Sequence, residues 1–117
     1  MLEGGDDKEA LVPKYLFEVK YTLDGVKGLK SKGGSARVAA SKALVEEVGG
    51  TLEAFYFAFG STDAYLIAEL PDNVTTASVN LIAAASGGVS TATTVLLTPE
   101  EIDEAAKRQA SFQPPGS

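Results

Sequence analysis

The 117-residue chain has 44% hydrophobic and 22% charged residues, which is ordinary for one globular domain and disfavours disorder of the whole chain. Its net charge of -6 disfavours broad nucleic-acid binding, because an acidic protein repels phosphate backbones. The absence of Cys and His excludes disulfides, thiol chemistry and the usual zinc sites, and it removes the usual neutral-pH general base.

Both ends of the chain are polar or rich in Gly and Pro. We expect residues 1–12 and 110–117 to be mobile tails around one folded domain over residues 13–109. No apolar run is long enough to cross a membrane, and the N-terminal stretch lacks the features of a signal peptide. We therefore expect a cytoplasmic protein that makes no membrane contact.

The first predicted element is a strand over residues 14–22, in which aromatic and β-branched side chains alternate with others. One face carries Tyr15, Phe17, Val19 and Tyr21, and the opposite face carries Leu16, Glu18 and Lys20. Asp24-Gly25 ends this strand, and a short helical turn over residues 26–30 is predicted next.

The clearest predicted helix covers residues 35–48. Gly33-Gly34 leads into it, Ser35 is the expected N-cap, and Gly49-Gly50 suits its C-terminal end. Its expected buried stripe, at helical spacing, consists of Val38, Ser41, Leu44, Val45 and Val48.

A hairpin follows, with strands over residues 51–59 and 64–70 joined by Gly60-Ser61-Thr62-Asp63. In the first of these strands the alternation predicts Phe55, Phe57 and Phe59 on one face and Leu52, Ala54, Tyr56 and Ala58 on the other. In the second it predicts Ala64, Leu66, Ala68 and Leu70 opposite Tyr65 and Ile67.

The last three predicted elements are a helix, a strand and a short terminal helix. The helix covers residues 73–86, with an expected apolar side formed by Val74, Ala77, Leu81, Ala84 and Ala85. A β-branched strand covers residues 89–97. Thr98-Pro99-Glu100-Glu101 is typical of a helix start with a capping box, and this helix should end near Gln109.

The element order is β-α-β-β-α-β plus a terminal helix, which predicts an α+β fold of the ferredoxin-like, split β-α-β type. Its four-stranded antiparallel sheet should carry both long helices on one face. The other face alternates only weakly in polarity, so we expect a second copy of the chain to cover it in a homodimer or larger oligomer. The alternative is that the terminal helix folds over that face.

The chain resembles the GYD-domain family over roughly residues 13–103. The resemblance rests on Pro13-Lys14-Tyr15-Leu16, Gly25-Val26-Lys27, Arg37-Val38-Ala39-Ala40, the segment from Glu46 to Leu52, Phe55-Tyr56, Gly60-Ser61-Thr62-Asp63 and Glu69-Leu70-Pro71-Asp72. Gly60 and Asp63 match the residues for which the family is named, and Thr62 stands at its Tyr position.

This resemblance implies a ferredoxin-like fold that often pairs into a dimeric α/β barrel. Proteins with that barrel include cofactor-independent monooxygenases, isomerases and degradative enzymes, and also stress-linked proteins without known chemistry. No cofactor is implied.

The candidate ligand-binding residues lie on the hairpin. Asp63, Tyr65 and Glu69 share a predicted strand face and could line a pocket, with Asp63 as a carboxylate base. The alternative is that Asp63 is a turn residue that bonds backbone. Tyr56 lies on the neighbouring strand and pairs best with Tyr65, while Tyr15 and Tyr21 complete the acid–base candidates.

A second candidate is an anion site before the clearest helix, formed by Lys32, Gly33, Gly34, Ser35 and Arg37, since helix N-termini favour anions. The alternative is a solvated loop. No metal site is predicted, because the adjacent carboxylates diverge on their helices.

Three functions remain open at this point: a self-associating domain that binds a small molecule between sheet faces, a cofactor-independent enzyme acting on a small organic substrate, and a structural assembly subunit. Any ligand is expected between the open sheet face and its cover, rather than at Gly33-Gly34.

Overall fold

The computed structural model describes residues 12–116, which contain four strands and four helices. In chain order the elements are β1 (Lys14–Tyr21), α1 (Leu23–Lys32), α2 (Gly34–Glu47), β2 (Thr51–Phe57), β3 (Ala64–Glu69), α3 (Asn73–Ala85), β4 (Val89–Leu96) and α4 (Pro99–Ala106). Residues 1–11 of the predicted N-terminal tail lie outside the described residues.

The strands form one open sheet in the order β2-β3-β1-β4, and every neighbouring pair is antiparallel. The expected α+β class with a four-stranded antiparallel sheet is therefore confirmed. Helical connections join β1 to β2 and β3 to β4, as in a split β-α-β unit.

The hydrophobic core lies between the sheet and helices α2 and α3. It is formed by nine buried residues, namely Tyr15, Phe17, Val19, Val45, Ala64, Leu66, Ala68, Leu70 and Val79. The faces predicted for β1 and β3 are thus confirmed, as is the buried stripe of α2, whose Val45 is enclosed. Full burial of a side chain such as Leu70 contributes about 1.5–3 kcal/mol.

Helix α1 is longer than the predicted turn and spans ten residues. Thr22 caps it, because its Oγ1 accepts a hydrogen bond from the Gly25 amide, and Lys30 and Lys32 in the last turn complement the helix dipole. The two glycines inside the helix weaken its sequence signal, which explains the shorter prediction.

The expected N-cap of α2 is wrong. Gly33, with φ 87°, is the N-cap and makes no side-chain hydrogen bond, while Ser35 lies inside the helix. The same glycine ends α1, where its amide donates to the Leu29 carbonyl at 2.7 Å. A left-handed residue between the two helices lets the chain change direction at once, and glycine adopts that conformation without strain.

The predicted faces of β2 are also partly wrong. The pairing of β2 with β3 shifts between Leu52 and Ala54, which is a bulge-like irregularity. Leu52 consequently packs against the core on the same side as Phe55, rather than beside Tyr56. The strand ends at Phe57, and Phe59 beyond it is fully exposed.

The predicted apolar side of α3 faces away from the core. Val74 and Leu81 are 80% and 71% exposed, whereas Thr76 and Val79 are buried. Polar contacts set this rotation: Asn80 donates to the Thr93 hydroxyl at 2.7 Å and accepts from the Thr91 hydroxyl at 2.9 Å, both on β4.

Helix α4 begins as predicted, with Thr98 and Glu101 forming a capping box. It does not cover the open side of the sheet, since its side chains are exposed apart from partly buried Glu101. After Ala106 the described chain has no further helix or strand, and Phe112 is 80% exposed.

Candidate functional site

The sheet has one face without helices, which we call the open face. Because side chains alternate between the two faces, the residues of β1 that lie between its buried ones, together with their cross-strand partners, belong to this face. They are Lys14, Leu16, Glu18, Lys20, Ala54, Tyr56, Tyr65, Ile67, Glu69, Ser90, Ala92, Thr94 and Leu96. The middle of this face is therefore largely apolar and aromatic, and its charged groups lie mostly toward the strand ends.

Tyr56 and Tyr65 lie on the open face as direct cross-strand partners. They are 72% and 40% exposed. The structure thus brings together the two tyrosines that were predicted to pair across the hairpin, and it leaves both rings accessible.

Asp63 does not join them. Its carboxylate Oδ2 accepts a hydrogen bond from the Tyr21 amide at 2.9 Å, and its own amide donates to the Val19 carbonyl at 2.8 Å. Asp63 therefore attaches the hairpin loop to the end of β1. This role is close to the alternative given from sequence, in which Asp63 is a turn residue that bonds backbone.

Glu69 is also separated from Tyr65, by four residues of extended strand or about 13 Å. Its carboxylate accepts from the Lys14 Nζ at 2.8 Å, and Glu53 accepts from the same ammonium at 2.5 Å. Hydrogen bonding to Glu53, then to Glu69, raises the pKa of Lys14 above its ordinary value. The three groups form an ion-pair cluster at one end of the open face.

Glu18 is an open-face carboxylate that sequence reasoning did not select. It lies between Tyr65 and Ala92 in register, and its Oε1 accepts from the hydroxyl of buried Thr62 at 3.2 Å. Thr62, which stands where the family has Tyr, thus binds a side chain of β1 through its hydroxyl. Its burial was not evident from sequence, because a small hydroxyl residue in a loop gives no periodicity.

On the opposite side of the sheet, two adjoining cavities form a cleft between the helices. The inner chamber, about 70 Å³, lies between the sheet, α2 and α3 and is lined mainly by apolar side chains, including Phe17, Leu44, Val45, Phe55, Leu66 and Val79. The outer chamber, about 670 Å³, lies between α1, α2 and α3. The chambers share Tyr21, Arg37, Leu44, Ala83 and Val89.

The predicted anion-site residues divide around this cleft. Lys32, Gly33 and Arg37 line the outer chamber, and Arg37 also reaches the inner one. Gly34 instead packs close to the Phe57 ring, and Ser35 is exposed. The basic segment therefore borders a cavity, which the sequence pattern had not predicted.

Tyr21 and Arg37 are the ionisable groups common to both chambers. Burial raises the pKa of the Tyr21 phenol above its ordinary value, the Arg37 charge acts in the opposite direction, and the Asp63 charge raises it further. The Tyr21 hydroxyl is therefore protonated at neutral pH and serves as a hydrogen-bond donor. By contrast Tyr15 is a core residue, whose hydroxyl donates to Asn73 Oδ1 at 2.7 Å.

Within residues 12–116, no group of three or more carboxylates is arranged to hold a metal ion. In the same part of the chain, every helix is too short or too polar to span a bilayer.

These features define a small α+β domain with a split β-α-β sheet, one open face and a cleft on the helix side. The chain matches the GYD domain over residues 15–106 and belongs to the GYD-domain family, as its resemblance indicated. No curated protein and no solved structure matched the chain.

Proposed function

We propose that this protein is a self-associating domain that pairs through the open face of its sheet. The observation that carries the proposal is the accessibility of the aromatic residues on that face, with Tyr56 and Tyr65 at 72% and 40% exposure. A large apolar patch on a single chain commonly marks an interaction surface.

The make-up of the open face supports pairing of two identical sheets. Aromatic residues are enriched in interfaces, and charged residues are depleted at their centres. Here Leu16 and Ile67 are cross-strand partners near the middle, while Lys14 and Glu69 are paired at one end. A symmetric pair would bury the former and leave the ion pairs at the rim.

A small molecule enclosed between two such sheets would meet Tyr56, Tyr65 and Glu18. The enzyme alternative needs a base, and the raised pKa of Tyr21, which lies on the helix side of the sheet, makes that phenol a poor base at neutral pH. The assembly alternative is favoured by the exposed apolar side of α3, because a second surface allows growth beyond a dimer.

Light scattering coupled to size exclusion tests the proposal at low micromolar concentration. The wild type should have twice the 12.1 kDa chain mass. Tyr56→Glu should be a monomer, because a buried unpaired carboxylate opposes pairing. Leu23→Glu is the matched control, since Leu23 is 70% exposed at the start of α1 and lies on neither the open face nor α3.

A wild-type mass of 12.1 kDa contradicts pairing. Equal masses for wild type and Tyr56→Glu contradict the surface proposed for it. Particles larger than a dimer that Leu81→Glu reduces to a dimer support the assembly alternative.

A further inference from the structure

We propose that the helix-side cleft binds an amphipathic organic acid, with part of its apolar chain in the inner chamber and the anionic group beside Arg37. This site lies across the sheet from the proposed pairing surface and does not depend on it. It also differs from the open-face location expected for a ligand.

The inner chamber suits an apolar group. Phe17, Phe55 and Leu66 line its sheet side, and Leu44 and Val79 line its helix side. Its volume of about 70 Å³ exceeds the space that one water needs, roughly 10–15 Å³. Water there would meet few polar partners, so an apolar segment should displace it favourably.

The outer chamber has the volume of a small-molecule site. Its 670 Å³ falls within the roughly 300–1,000 Å³ typical of such pockets. Gly25 and Gly28 of α1 form part of its wall, and a side chain added at Gly28 would enter open space. A ligand entering from solvent can therefore pass between α1 and α3 before it reaches the inner chamber.

Charge selects the kind of ligand. The protein has a net charge of -6, yet the segment from Gly25 to Val45 contains five Lys and Arg residues and no acid, namely Lys27, Lys30, Lys32, Arg37 and Lys42. Of these, Lys32 and Arg37 line the outer chamber, against the single carboxylate of Asp24.

Arg37 is placed to receive the anionic group. Within residues 12–116, every ion pair with a separation of 4.0 Å or less uses Lys14 or Lys42 as its cation. Arg37 therefore has no carboxylate partner in that part of the chain. The neighbouring Tyr21 hydroxyl is a protonated donor. Together they offer a cation and a hydrogen-bond donor where the two chambers meet.

Polar contacts hold the far wall of the cleft in place. The Asn80 amide is engaged with the hydroxyls of Thr91 and Thr93, which ties α3 to β4. Since Asn80 and Thr91 line the inner chamber, its wall is already ordered before any ligand enters.

Octanoate is the probe, and 1-octanol is its neutral counterpart. Binding is measured by titration calorimetry at low salt, with circular dichroism melts to show that each variant folds. Octanoate should bind more tightly than 1-octanol, and Arg37→Gln should weaken octanoate binding by about tenfold, as for loss of one charge-assisted contact. Added salt should weaken it as well.

Lys42→Gln is the matched control. It removes the same charge from the same helix, but Lys42 lies beside Glu46 and lines neither chamber, so octanoate affinity should change by less than about twofold. Ala83→Leu should block octanoate binding, because the larger side chain fills the space shared by the chambers. If Ala83→Leu does not fold, Ser41→Leu is used in its place.

Tyr56→Glu should leave octanoate binding intact, which separates this site from the pairing surface.

Three results overturn the proposal. The first is no saturable octanoate binding below about 10 mM. The second is equal affinity for octanoate and 1-octanol, unchanged in Arg37→Gln, which would make the chamber a purely apolar site. The third is inorganic phosphate binding as tightly as octanoate, which would make the basic segment a simple anion site.

Discussion

Asp63 shows how one side chain can stabilise this fold at a point where strand pairing ends. The last paired residues of β1 and β3 are Val19 and Ala64, so the Tyr21 amide has no β3 carbonyl to bond. The Asp63 carboxylate accepts that hydrogen bond instead, at 2.9 Å. A residue of the naming motif thus has a structural role that its position in a turn only partly indicated.

Replacement of Asp63 should therefore lower stability. We expect Asp63→Ala to reduce the free energy of unfolding by about 1.5–3 kcal/mol, because a half-buried amide loses a charged acceptor. Asp63→Asn should retain most of the stability, since its amide oxygen can accept the same bond. Urea denaturation of the three proteins checks this, and equal losses for both variants would contradict the hydrogen-bond explanation.

Tyr21 makes stability depend on alkaline pH. Its pKa is raised in the folded state, so above its ordinary value near 10 the unfolded chain loses a proton that the folded chain keeps. The stabilisation is complete below that pH and is lost as pH rises through the folded-state pKa.

Thermal melts between about pH 8 and pH 11 test this behaviour. The wild type should lose more stability over that range than Tyr21→Phe, which cannot ionise. Lys14 also has a raised pKa, so its contribution to stability is likewise lost as pH rises. Because Lys14 is present in both proteins, the difference between their curves reports on Tyr21. Parallel curves for the two proteins would exclude a contribution from Tyr21.

Among the elements, α1 is held against the start of β4 by close backbone approach. A Cβ at Gly25 would lie 2.0 Å from the Gly88 carbonyl oxygen. Thr22 strengthens the same junction, with its amide and hydroxyl donating to the carbonyls of Gly88 and Gly87 at 3.0 and 2.8 Å. The junction closes one end of the cleft.

Two glycines of the same helix should therefore respond in opposite ways. Gly25→Ala should cost about 1–3 kcal/mol of stability, because the added methyl group forces the junction apart. Gly28→Ala has open space around it and should gain about 0.5–1 kcal/mol from better helix propensity. Denaturation midpoints measure both changes, and a stable Gly25→Ala would show that the junction is looser than described.

Elements with one apolar face were predictable from sequence, and those with two were not. The faces of β1 and β3 and the buried stripe of α2 follow simple periodicity. Helix α3 has apolar residues all round, so periodicity could not show that Asn80 and Thr76 face the sheet. The shift in β2 reversed Leu52, because one irregular residue changes the face of every residue before it.

The candidate site was predictable only where it lies on regular strands. Tyr56 and Tyr65 were placed correctly because alternation and hairpin pairing define their neighbours. The cleft was not, because it depends on the angle between α1 and α2 set at Gly33 and on the rotation of α3. Neither quantity is visible in residue spacing.

For the whole molecule, the central feature is a sheet covered on one side only. Helices α2 and α3 bury one face, and α4 leaves the other exposed. Leu16, Ile67 and Tyr65 of the two central strands belong to the surface through which we propose that two copies pair, while the cleft lies on the far side. The proposed pairing and the proposed ligand binding thus use different surfaces.

Thiol reactivity tests the pairing surface most directly, because the chain contains no cysteine of its own. Ala92→Cys places a thiol on the open face opposite Glu18, and Ala84→Cys places one on the exposed side of α3. If two copies pair through their open faces, the thiol at position 92 should be modified at least about tenfold more slowly at high than at low protein concentration, since an interface excludes the reagent. The rate at position 84 should not change with concentration. A rate at position 92 that is independent of concentration would contradict pairing through this face.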